Sequence, residues 1–427
     1  MTTFTADTYQ NEYLPIDGSE VNTVVTVTAS GGAPAGLSAS TQMAEILILD
    51  TSGSMGAPRA KLSAAKRATA VAIDCVREGT LFAVVVGNEL GSVLYPETAA
   101  LVPASPQTRE DAKRTVARAR CGGGTAIGQW LDLSCDLFED APGAVCHAIL
   151  LTDGQDEHET REDLERVLED CEGSFQCDCR GVGTDWEVEE LRLISSALLG
   201  TVDIVAEPRD LEADFQAMIE RAMGRAIRDV SLRLWTPQGA RAAFVKQVAP
   251  TIEDLTDRAS AVDALTADYP TGAWGDESRD YHICIRVQPR AIGEEMLAGR
   301  VSLMVDGQAV SQALVKATWT DDEQLSTRIN REVAHYTGQA ELAQAIHEGL
   351  EARKQGDEHS ATSKLGRAVQ LAAAAGNTDT MKLLEGVVEV DDPAAGSIRL
   401  KDQVQDADEM ALDTRSTKTV RARRAEP

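Results

Sequence analysis

Five residues of this chain share one chemical property. Asp50, Ser52 and Ser54 crowd together in "ILILDTSGSMG" (46–56), Thr125 closes the run "CGGGT", and Asp153 stands in "LLTDGQDE". All are hard oxygen donors, two carboxylates and three hydroxyls, with no thiol or imidazole among them. Such a set suits Mg²⁺, with Ca²⁺ or Mn²⁺ as substitutes, and does not suit Zn²⁺. Few charged ligands leave an ion electrophilic toward an outside carboxylate. Each residue alone has a plainer explanation. Asp50, Ser52 and Ser54 can cap a turn and the next helix, Thr125 can cap a helix, and Asp153 is an ordinary turn residue. The combination favours the metal, because each residue stands at the end of its own strand or the start of its own helix.

The elements that must position them follow from periodicity. "EILILD" is too short for a helix and right for a buried parallel strand. Strands and helices then alternate to about residue 225: "TLFAVVVG", "AVCHAILLTDG", "FQCDCRGVG" and "TVDIVA" as strands, with amphipathic segments between them. That alternation predicts a doubly wound, mostly parallel α/β sheet. In such a sheet function gathers at the carboxyl ends of the strands. Gly122, Gly123 and Gly124 either let the backbone approach a metal closely or form a merely flexible loop.

On these residues the chain resembles a von Willebrand factor type A domain with its metal-ion-dependent adhesion site. The family pattern is D-x-S-x-S, a distant Thr and an Asp that begins a D-G turn. Here Asp50, Ser52 and Ser54, then Thr125, then Asp153-Gly154 fill it without substitution. The resemblance covers about 180 residues. It implies that Ser52 and Ser54 contact the metal directly, Thr125 in one conformational state, and Asp50 and Asp153 directly or through water. It also implies that an Asp or Glu of a protein partner completes the coordination, and that the chain is of a bacterial cytoplasmic type.

The rest of the chain changes character. Segments such as "RDVSLRLWTP", "YHICIRVQP" and "RVSLMVDG" read as antiparallel strands of a β-sandwich. The lone early strand "EVNTVVTVTAS" is expected to join them, which makes the α/β domain an insertion. The expected domains are an N-terminal segment 1–41, the α/β domain 42–225, the sandwich 226–322, a helical hairpin region 323–390 and a polar, partly disordered tail 391–427. In that tail Thr414, Thr417 and Thr419 lie among arginines. Phosphate there would find cations and could dock on a phosphothreonine reader. The plainer reading is a solubilising tail.

Composition sets the boundaries. Lys+Arg number 41 against Asp+Glu 69, a formal net charge of −28, which repels phosphate backbones and argues against nucleic-acid binding. No run approaches the roughly 18 apolar residues of a membrane helix, so no membrane partner is expected and the chain reads as soluble and cytoplasmic. Cys177 and Cys179 suit one face of a strand better than a metal pair. The "DEHE" run with His158 could be a second ligand set, although acids at a helix N-terminus are expected anyway. No nucleophile–base pairing points to hydrolysis. The leading expectation is a non-enzymatic, Mg²⁺-dependent protein-interaction module. The alternative is an accessory subunit of an ATPase or of a kinase/phosphatase stress-response system resembling tellurium-resistance clusters. A metal-dependent hydrolase ranks third.

Overall fold

The computed structural model describes residues 3–31, 42–57 and 60–422. The loop expected at "GGAPAGLSAS" lies outside them apart from Gly31. The chain divides into two units, an α/β unit (Ala35–Arg228 with Gly272–Gly275) and a β-rich unit (Met1–Pro34, Asp229–Thr271 and Asp276–Pro427). The first is therefore inserted within the sequence of the second.

The chain opens on β1 (Thr3–Gln10), β2 (Tyr13–Leu14) and β3 (Glu20–Ser30). The α/β unit follows with β4 (Met43–Asp50), α1 (Ala60–Cys75), β5 (Leu81–Gly87), β6 (Gly91–Tyr95), β7 (Val102–Pro103) and α2 (Pro106–Arg118). It continues through α3 (Ile127–Glu139), β8 (Val145–Thr152), α4 (Arg161–Cys171), β9 (Gln176–Val182), α5 (Val188–Ala197), β10 (Val202–Val205) and α6 (Leu211–Gly224). The strands lie in the order β10-β9-β8-β4-β5-β6, with β7 also on β5. Pairing is parallel from β10 to β5 and antiparallel at β6 and β7.

β4 is central and every one of its residues is buried. A strand covered on both faces needs apolar residues on both, which is why "ILIL" does not alternate. Leu47 and Leu49 pack with Ile149, Leu151 and the apolar faces of α1, α2 and α6. α3 packs against β4 and β5, and α5 against β9. Burying each such leucine stabilises the unit by roughly 1.5–3 kcal/mol.

The same face carries charges at the amino ends of the strands. Glu45 on β4 pairs in register with His147 on β8. Their side chains meet at 2.9 Å, and His147 Nε2 lies 3.2 Å from Asp178 on β9. Asp178 Oδ1 accepts from the backbone N–H and hydroxyl of Thr201, and buried Arg180 pairs with Asp214 of α6 at 2.7 Å. Burial opposes the imidazolium, but the charge of Glu45 and the hydrogen bonds to Asp178 and Glu45 outweigh it and raise its pKa to about 9. Burial likewise opposes the Asp178 carboxylate. The His147 hydrogen bond and charge, with Arg225 and Arg180, overcome it and hold Asp178 below its ordinary value.

The β-rich unit adds β11 (Val230–Trp235), β12 (Arg241–Ala249), β13 (Glu253–Asp254), β14 (Ser260–Asp263), β15 (Thr266–Pro270), β16 (Ser278–Arg286), β17 (Glu295–Val305) and β18 (Gln308–Trp319). One sheet runs β1-β3-β16-β12-β13 and the other β14-β15-β11-β17-β18-β2. A Cβ at Gly299 of the second sheet would strike Ile285 of the first, so the two inner faces interlock as a sandwich. β3 takes an interior place between β1 and β16. The fold class expected from the sequence, a doubly wound sheet with an antiparallel sandwich and a helical end, holds.

The helical end comprises α7 (Glu323–Ser326), α8 (Arg331–Lys354), α9 (Glu358–Ala375), α10 (Thr378–Val387), the hairpin β19 (Val388–Asp392) and β20 (Ser397–Leu400), and α11 (Asp406–Arg415). Here the tail expectation is corrected. Residues 391–422 are built into the unit. Ile398 and Leu412 join the core of α8, α9 and α10, and the chain beyond α11 bonds to the sandwich. Ile252 N–H donates to Thr417 O at 2.8 Å and Thr419 N–H to Pro250 O at 3.0 Å. Polar composition concealed a few well-spaced apolar anchors. Two of the three tail threonines, Thr414 and Thr419, have their hydroxyls engaged here. Thr414 is buried with its hydroxyl on Met410 O, and the Thr419 hydroxyl donates to Val248 O at 2.6 Å. The final arginine-bearing residues, 423–427, lie outside the described part.

Candidate metal centre

The carboxyl ends of β4 and β8 and the loop before α3 bring the five oxygen donors together. Ser52 Oγ lies 2.9 Å from Ser54 Oγ, and Ser54 Oγ donates to Asp153 Oδ1 at 2.7 Å. Thr125 faces the same point: a Cβ built on Gly154 would lie 3.3 Å from Ser54 Oγ and 3.4 Å from Thr125 Oγ1. None of the hydroxyls serves as a helix cap. The short turn Ser54–Gly56 and α3 both start without a side-chain cap, and α3 starts from Ala126.

Asp50 has a different place in the cluster. Its Oδ1 accepts from Ser52 N–H at 2.7 Å and its Oδ2 from the Thr152 hydroxyl at 2.5 Å. Burial pushes its pKa up against the pull of these bonds. With both oxygens engaged, Asp50 fixes the Ser52 loop and contributes charge from behind it.

The loops are tied together by backbone bonds. Gly53 N–H donates to Gly123 O at 2.9 Å and Gly122 N–H to Thr51 O at 2.8 Å. Gly123 has φ +87°, a left-handed conformation that favours glycine. Gly124 is pressed against the His158 ring, which a Cβ there would strike. His158 N–H donates to Thr125 O at 3.0 Å, and its Nδ1 accepts from Thr125 N–H at 3.2 Å. The "DEHE" residues thus hold the Thr125 loop. Asp156 and Glu159 accept from Ile127 and Gly128 N–H at the start of α3. Burial, then Glu159 and Glu190, push the Asp156 carboxyl up to about 9. Cys177 and Cys179 are both buried on β9, and among the described residues no group of three His, Cys, Asp or Glu is arranged to hold a metal.

Two participants were missed in the sequence. Lys61 of α1 reaches into the site, with Nζ 2.8 Å from Asp153 Oδ2 and 2.8 Å from Asp185 Oδ2. Asp185 follows the end of β9, where the strand-end rule could have found it. Lys61 gave no signal, since a lysine in an amphipathic helix is ordinarily solvated. Together these loops line an open hollow that includes Ser52, Ser54, Thr125, Asp153, Gly154 and Asp185.

The donor chemistry fits a hard divalent cation: three hydroxyl oxygens and one carboxylate oxygen converge, backed by a second carboxylate. Comparison with known proteins bears on the family. Residues 44–204 match the von Willebrand factor type A domain, and residues 370–416 the von Willebrand factor type A C-terminal domain. A solved structure described as von Willebrand factor type A from Catenulispora acidiphila is 49% identical, covers 99% of this chain and 98% of its own, and superposes with a TM-score of 0.93. The chain belongs to the von Willebrand factor type A (VWA) family. The ArnB paralog VWA2 from Sulfolobus acidocaldarius shares the fold at a TM-score of 0.62 and 13% identity, over 98% of this chain and 100% of that one. No curated protein matches the chain. VWA domains often mediate protein–protein interaction and can carry a metal site. The C-terminal match spans the end of α9, α10, the β19–β20 hairpin and α11, so the region read as a tail is part of the VWA family architecture. Among the described residues, no helix is long and apolar enough to cross a membrane.

Proposed function

We propose that this protein is a non-enzymatic, cytoplasmic binding module whose VWA unit holds Mg²⁺ and recognises an acidic side chain of a protein partner. The observation that carries the reading is the convergence of Ser52 Oγ, Ser54 Oγ and Asp153 Oδ1 within hydrogen-bond distance of one another, with Thr125 Oγ1 beside them. Ser52, Ser54 and Asp153 are the residues that would hold the ion, with Thr125 next to them and Asp50 positioning Ser52. The bound cation supplies a Lewis-acidic centre for a carboxylate from outside. The residues themselves orient the loops and keep the charged ligands few.

The test is calorimetric titration of the purified protein with MgCl₂, followed by partner pull-down with and without chelator. Uptake by wild type and loss of uptake in Ser52→Ala and Asp50→Ala, with unchanged circular dichroism, are expected. Partner capture that survives chelation, or that is unaltered in Asp50→Ala, would sink the proposal.

A further inference from the structure

Lys61 is a cation already built into the site. It comes from α1 and not from a metal-binding loop, and its side chain is only 8% exposed. Its stem is enclosed: a Cβ at Gly183, after β9, would lie 3.4 Å from Lys61 Cε. The two oxygens of Asp153 are divided. Oδ1 faces the serine hydroxyls and Oδ2 is held by Lys61. Asp153 is fully buried, whereas Asp185 is largely exposed, so Asp153 is the partner that matters electrostatically.

We propose that Lys61 decides which divalent cation the site accepts, and how tightly, by keeping Asp153 Oδ2 away from the ion. The inference rests on the cation reading above and adds to it a residue outside the D-x-S-x-S, Thr and Asp pattern. It has two physical parts. An ammonium beside a buried carboxylate cancels much of that carboxylate's attraction for a second cation, because screening is weak there. A carboxylate with one free oxygen also suits Mg²⁺, which takes six ligands and retains water. It suits Ca²⁺ poorly, because Ca²⁺ takes six to eight oxygens and uses bidentate carboxylates. Lys61 therefore lowers affinity for both ions and lowers it more for Ca²⁺. A weakly neutralised ion stays strongly attractive to a partner's carboxylate.

The experiment titrates the full chain with MgCl₂ and CaCl₂ by calorimetry in wild type, Lys61→Met, Lys61→Gln and Lys61→Arg. Lys61→Met should bind Ca²⁺ at least about tenfold more tightly, or about 1.4 kcal/mol, and gain less for Mg²⁺. Lys61→Gln removes the charge but keeps a donor for Oδ2, so both ions should bind more tightly at an unchanged ratio. Lys61→Arg should stay close to wild type. If Lys61→Met does not fold, the comparison of Lys61→Gln with Lys61→Arg carries the test. Folded neutral variants with wild-type affinities would overturn the proposal while leaving the cation reading intact. Absence of uptake by wild type under the same conditions would remove the cation reading and this proposal with it.

Discussion

β4, β8 and β9 carry ionisable groups at both ends, and the two ends treat them oppositely. Toward the amino ends, Glu45, His147 and Asp178 join side chain to side chain, and Arg180, further along β9, meets this set through Thr201 and pairs with Asp214. At the carboxyl ends, Asp50 and Asp153 stand beneath loops that open to solvent, and Lys61 neutralises only one oxygen of one of them. The first arrangement satisfies its charges internally and has no coordination left to offer. The second leaves hydroxyl oxygens converging on a hollow. Burial alone does not separate the two, since Glu45, Asp50 and Asp153 are all fully buried. What differs is how far the chain's own cations compensate the carboxylates: His147 spans Glu45 and Asp178, whereas Lys61 meets one oxygen of Asp153.

Several substitutions can break that contrast. The largest effect is expected from Arg180→Met, which takes a buried guanidinium away from buried Asp178 and leaves the partly exposed Asp214 without its partner. Losing one partner of a buried pair costs about 3–5 kcal/mol, read as a fall in the urea or thermal midpoint of the α/β unit. Next comes pH. The His147 pKa is raised from 6.5 to about 9. Its contribution to stability is therefore fully present below pH 6.5 and lost as pH rises through 9. Raising the pH from 6 to 10 should remove on the order of 3 kcal/mol, and His147→Gln should flatten that slope. A steep loss that persists in the variant would place the cause elsewhere.

The open end should respond in the reverse sense. Asp153→Asn is expected to abolish Mg²⁺ uptake in calorimetry while costing stability only about 1–3 kcal/mol, since the amide keeps an acceptor for Lys61 and Asp185 still pairs with it. If it unfolds the unit as severely as Arg180→Met, the two ends are not different in kind. The smallest effect serves as a control outside the sheet. Thr417→Ala alters a partly exposed side chain whose backbone makes the contact to Ile252, and should shift the midpoint by less than about 0.5 kcal/mol.

These two ends were not equally legible. The oxygens of Asp50, Ser52 and Ser54 stood out because small polar residues ended an apolar strand, while Thr125 stood at the start of a helix and Asp153 at the end of a strand. The amino-end network stayed hidden in plain apolar runs. Glu45 begins "EILILD" and His147 sits in "AVCHAILLTDG", 102 residues apart, and only the β8-β4 pairing makes them neighbours. Lys61 was hidden for a related reason. Whether a helical lysine faces solvent or a carboxylate depends on how the helix lies on the sheet, which local spacing does not encode. Ile398 and Leu412 likewise became visible as anchors only once the helices they pack on were in place.

The interior position of β3 sets a timetable for synthesis. Its strand partner β16 lies far along the chain, Thr28 opposite Ser278 at a separation of 250 residues. A ribosome adding about 5–20 residues per second needs roughly 12–50 s to cover that interval. Until then the valines of β3 have only the β1 side of their sheet. The whole alternating sheet of the VWA unit emerges during the wait, and its contacts are more local. Nascent chains halted just before β16 should therefore carry a largely protease-resistant VWA unit behind an N-terminal hairpin that is still open to cleavage. The insertion means that β1 and β3 are synthesised well before the strands that enclose them.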